Sequence, residues 1–61
     1  MAVRSEDADI TIEADAIRVG GDATFSGVPP NGWLTVITPV LEVGGILFFE
    51  DGAEWYNPGG D

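Results

Sequence analysis

An all-β fold, a small meander of hairpins closing into a compact barrel or an open sandwich, is predicted by three features of this 61-residue chain. Residues 9–14 alternate apolar Ile10, Ile12 and Ala14 with polar Thr11 and Glu13, the period-two signature of a half-buried strand. Residues 33–38, 40–43 and 46–49 are rich in β-branched and aromatic side chains, which suit a pleated surface. Turn signals punctuate these runs: Gly20-Gly21, Pro29-Pro30-Asn31-Gly32, Gly44-Gly45 and Asp51-Gly52. Only residues 5–16 have a helix-like content of Asp, Glu and Ala, and the Ile10-Thr11-Ile12 core of that segment opposes a helix. Five to seven short strands follow.

One domain, 1–61, accommodates the whole chain. Residues 1–9 carry no apolar pattern beyond Val3 and read as an extended N-terminal arm. Residues 10–56 form the β core, and 57–61, with Pro58 and two glycines, a flexible tail. Residues 10–25 lie over residues 34–49 at an offset of 24. Thr11, Val19, Gly20, Gly21 and Phe25 recur as Thr35, Val43, Gly44, Gly45 and Phe49, and further positions exchange one aliphatic for another. Duplication and convergence both account for this; either way the pattern is two strand–strand–Gly-Gly–strand units.

Side-chain alternation sets the expected register. A three-residue turn, Gly20-Gly21-Asp22, would pair Val19 with Ala23 and Ile17 with Phe25, all apolar on one face. The same arrangement places Leu41, Val43, Leu47 and Phe49 on one face, and Val40, Ile46 and Phe48 on the other. Both faces are apolar, which calls for a cover on each side. The expected core is Ile10, Ile12, Ile17, Val19, Phe25, Leu34, Val36, Leu41, Val43, Leu47 and Phe49.

Composition narrows function. The chain has no Cys and no His, so disulfides are impossible and zinc, haem and iron–sulfur sites lack their usual ligands. Two positive residues, Arg4 and Arg18, stand against eleven acidic ones, giving a formal charge of -9 and a pI near 4.1. Binding to nucleic acid or to an anionic membrane is disfavoured on charge. No apolar h-region or membrane-length apolar run is visible. So short a chain buries a smaller share of its surface than a larger domain does and commonly needs association for stability.

Catalysis, cofactor binding and metal binding are not expected. Glu50, Asp51 and Glu54 form the nearest approach to a carboxylate pair, but so small a fold offers no cleft in which to tune them. The oxygen-rich runs 6–9 and 50–54 do not follow an EF-hand pattern. Gly20-Gly21 and Gly44-Gly45 lack the Lys and the following helix of a phosphate loop. What remains is contact with other chains, through a candidate interface of Arg4, Ile10, Ile12, Trp33, Val40, Ile46, Phe48, Trp55 and Tyr56.

The stretch Ala8-Asp-Ile-Thr-Ile-Glu-Ala-Asp-Ala-Ile-Arg-Val-Gly-Gly21 resembles the openings of small head decoration, or cement, proteins of tailed bacteriophages. Those begin with a short polar lead, an Asp-Ile-Thr-like strand and a Val-x-Gly-type turn. The resemblance implies a non-catalytic β protein on the capsid exterior. It would stabilise the head through contacts with shell protein or with its own copies, a trimer being favoured. Two other classes are kept beside it: an acidic inhibitor that mimics nucleic acid, of the anti-restriction or anti-CRISPR type, and a small ligand-binding β module using Trp33 and Trp55.

Overall fold

A computed structural model describes residues 1–59. Eight strands follow one another without a helix among the described residues: β1 (Ala2–Ser5), β2 (Ile10–Glu13), β3 (Ile17–Val19), β4 (Ala23–Gly27), β5 (Leu34–Ile37), β6 (Leu41–Val43), β7 (Leu47–Phe49) and β8 (Ala53–Tyr56). The all-β class is as expected. Their pairing is not that of hairpins. Each strand lies parallel to the strand three places later, giving sheets β1-β4-β7, β2-β5-β8 and β3-β6. The chain visits three sheets in turn and returns one strand lower, as a short parallel β-solenoid.

The repeat is therefore one coil. Ile10 lies beside Leu34, Ile17 beside Leu41 and Ala23 beside Leu47. The hairpin register fails for a conformational reason: a tight reversal at Gly20-Gly21-Asp22 needs a left-handed residue. Among the described residues only Gly52 has a positive φ, at 82°. At Gly20-Gly21 the chain turns a corner, so Val19 meets Val43 rather than Ala23, and Phe25 meets Val3 and Phe49 rather than Ile17. The extents of 28 × 24 × 15 Å fit this form, since three strands about 4.8 Å apart make a shallow stack.

Burial follows level in the stack. The four fully buried hydrophobics, Ala23, Phe25, Leu34 and Val36, all belong to the middle coil, which has a neighbour on each side. Val3, Ile12, Ile17, Val19, Val43, Phe49 and Ala53 pack against them and are partly buried. Ile10 and Leu47 share inward columns with Leu34 and Ala23, yet stay 40% and 37% exposed, because each lies in an end coil. Leu41 is half-buried.

The N-terminal arm is also corrected. Ala2–Ser5 is strand β1, in register with Thr24 to Gly27 of β4, and Ser5 is fully buried. The Ser5 hydroxyl donates to the Ala8 carbonyl, closing the corner into β2. Val28 donates its amide to the Ser5 carbonyl at 2.9 Å, and Thr24 to that of Met1 at 2.9 Å. Of the expected tail, residues 57–59 are described and Gly59 donates to the Asn57 side chain at 2.8 Å; residues 60 and 61 lie outside the described residues.

Corners stack as closely as strands. A Cβ on Gly27 would collide with the carbonyl oxygens of Gly32 and Gly52. Buried Thr38 ties the β5–β6 corner, its hydroxyl donating to the Val40 carbonyl at 2.9 Å. The Pro29-Pro30-Asn31-Gly32 signal does make a local reversal, closed by an antiparallel bridge between Val28 and Gly32.

Candidate functional site

Three side-chain contacts cross between coils at the repeat spacing. Asp9 accepts the Trp33 amide at 2.9 Å, Asp22 accepts the Ile46 amide at 2.9 Å, and Arg18 pairs with Glu42 at 3.1 Å. Each links residues 24 apart, so polar side chains outside the core read the same register as the apolar columns within it. One repeat on from Asp9 and Asp22 stand Trp33 and Ile46, 48% and 59% exposed. The bridging series stops there, and apolar surface replaces it.

The last coil gathers four of the candidate interface residues. Ile46 precedes β7, Phe48 lies on its outer side, and Trp55 and Tyr56 end β8; Phe48 is 51% and Tyr56 58% exposed. Trp55 is in register with Val36, beneath the core column, and its indole N–H donates to the Thr38 carbonyl at 3.0 Å. Leu47 adds to this end. The Glu50 amide donates to Phe25, so by ladder alternation the backbone groups of Leu47 and Phe49 point away from β4, to the open side.

The other candidates are dispersed. Arg4, on β1, makes a 2.8 Å ion pair with Glu6, and Ile10 lies on β2 at the opposite end of the stack from β8. Ile12 is half-buried and packs against the core, as its place in the expected core requires. Trp33 stands just before β5, and Val40 is half-buried, its carbonyl accepting from Ile17 at 2.8 Å. Alternation alone places Leu47 in the core. Alternation gives the direction of a side chain and not the presence of a coil beneath it.

An open groove of about 480 Å³ lies at the β2–β3 corner, lined by Glu13, Ala14, Asp15, Ile37, Pro39 and Pro58. Among the described residues no group of three or more carboxylates is placed to hold a metal ion. No helix of the described residues is long and apolar enough to cross a membrane. No protein-family model, curated protein or solved structure matches the chain.

Proposed function

We propose that this chain is a non-enzymatic structural protein that works by attaching to other protein chains, in the manner of a capsid decoration protein on the exterior of a phage head. The observation that carries the reading is the last coil, where Ile46, Leu47, Phe48, Trp55 and Tyr56 remain exposed beside strand edges that no other described strand pairs. Parallel strands with open edges take up a further strand readily, and exposed aromatic side chains supply contact area. Shell protein is favoured over own copies as the partner, since a charge of -9 opposes self-association.

The nucleic-acid mimic draws less support from the register. Glu13 is aligned with Ile37 and Tyr56, and Thr11 with Thr35 and Glu54, so the carboxylates do not form a continuous column on this sheet. A ligand module is disfavoured because the Trp55 indole N–H is committed to Thr38. Gradient-purified phage particles from cells carrying this sequence are expected to contain the protein at stoichiometric copy by mass spectrometry. Its presence in the soluble fraction alone would overturn the reading.

A further inference from the structure

Gly44 and Gly45 have a steric reason to be glycine. A Cβ on Gly44 would lie 2.5 Å from the Gly20 carbonyl oxygen, and one on Gly45 would strike the Asp22 carboxylate. Gly20 and Gly21 hold the equivalent places one coil higher, and a Cβ on either meets nothing within 4 Å. Neither has a positive φ. Among the described residues nothing gives the pair a packing or conformational need, although glycine costs more chain entropy on folding than alanine. A strand laid on the first coil would create the need, placing its own backbone over Gly20 as Gly20 lies over Gly44.

The edge beneath such a strand is available. Ile17 donates to Val40 and Gly44 to Val19, so the backbone groups of Arg18 in β3 face the open side. By the same alternation those of Thr11 and Glu13 face it in β2, since Ile10 donates to Trp33, just before β5, and Ala14 to Ile37 at its end. Charge identifies the occupant. Glu6, Asp7, Glu13 and Asp15 are exposed around this coil. Both arginines are already engaged, Arg4 with Glu6 and Arg18 with Glu42, and the terminal ammonium donates to the Asp22 carbonyl at 2.6 Å. A second copy would bring no free side-chain cation to this rim.

We propose that the first coil is a docking edge for an extended, basic segment of another protein, which adds as a strand on β3 and ends over the Gly20-Gly21 corner. This rests on the reading of the chain as a protein-binding module, and adds the end used and the chemistry of the partner. It does not depend on a phage setting, so failure here leaves the particle test standing.

The probe is a synthetic peptide alternating Lys and Val, with its Glu–Val counterpart as control, followed by amide shifts and hydrogen exchange in the full chain. The Lys–Val peptide is expected to protect the amide of Arg18, and to bind at least tenfold more weakly at 0.5 M salt than at 0.05 M. Gly20→Ala and Gly21→Ala are each expected to melt no lower than the parent, with any shift upward, and to weaken peptide binding at least tenfold. Equal binding of both peptides, protection confined to Leu47 and Trp55, or undiminished binding by both alanine variants would overturn the proposal. So would protection of the Arg18 amide in the free protein, which would mean that the edge is already covered, or a homodimer that Gly20→Ala dissolves.

Discussion

The ring of Phe25 lies on the ring of Phe49, with centroids 4.9 Å apart and planes 18° from parallel. The two residues are one coil apart, and Val3 continues the column on the other side of Phe25. A stacked pair of this kind adds to the burial of the two rings and favours a single vertical register.

Because Phe25 is covered above and below while Phe49 is covered on one side, equal substitutions are expected to have unequal effects. Phe25→Leu should cost about 1 to 3 kcal/mol, and Phe49→Leu less than half of that, by urea denaturation. Equal losses would contradict a stack whose middle coil is the most stabilised.

Removing strand β1 is expected to damage the fold. Deleting residues 2–5 uncovers Phe25 and takes away the carbonyl that accepts the Val28 amide, at a cost of at least about 2 kcal/mol. Thermal melting followed by circular dichroism checks this. A deletion variant that melts like the parent would restore the free arm predicted from sequence.

Asp22 ties two coils through the Ile46 amide. Asp22→Ala is expected to lose about 1 kcal/mol, and Asp22→Asn, which keeps an acceptor oxygen, to recover most of it. Faster hydrogen exchange at the Ile46 amide should accompany the loss in the alanine variant.

Gly27→Ala places a methyl group against two backbone carbonyls that have little room to move. A loss of about 1 to 3 kcal/mol is expected in urea titrations. Retention of full stability would show that the β4–β5 corner is looser than its geometry.

The Arg18–Glu42 pair holds register without much energy. Both side chains are more than 60% exposed, so Arg18→Ala should change stability by no more than about 0.5 kcal/mol. A larger loss at moderate salt would point to a role for the Arg18 stem in covering Ile17 and Val19.

Part of the candidate site was legible in the sequence. Phe48 and Ile46 stood out because an apolar outer face follows directly from alternation, and both are exposed as that alternation requires. Gly20-Gly21 was read as a reversal, since a glycine pair between two strands suits a hairpin as well as a corner. The distinction lies in φ, which composition does not carry. The coil-bridging roles of Asp9 and Asp22 had a signal in the 24-residue offset, but only once the repeat is read as a coil.

By itself the sequence determined strands β2 to β7 and the inward direction of their side chains. Ile10, Ile12, Leu34 and Val36 point inward whatever lies beside them, because successive residues of a strand face opposite sides. Only the tertiary structure decided which strands are neighbours. The same alternation is satisfied when Val19 meets Ala23 across a hairpin and when it meets Val43 across a coil. Carbonyl-to-glycine contacts at Gly27, Gly44 and Gly52, and hydrogen bonds between residues a full coil apart, exist only in the second arrangement. Burial was decided there too: Leu34 and Ile10 are matched in character and direction, and only the one with a coil on both sides is removed from water.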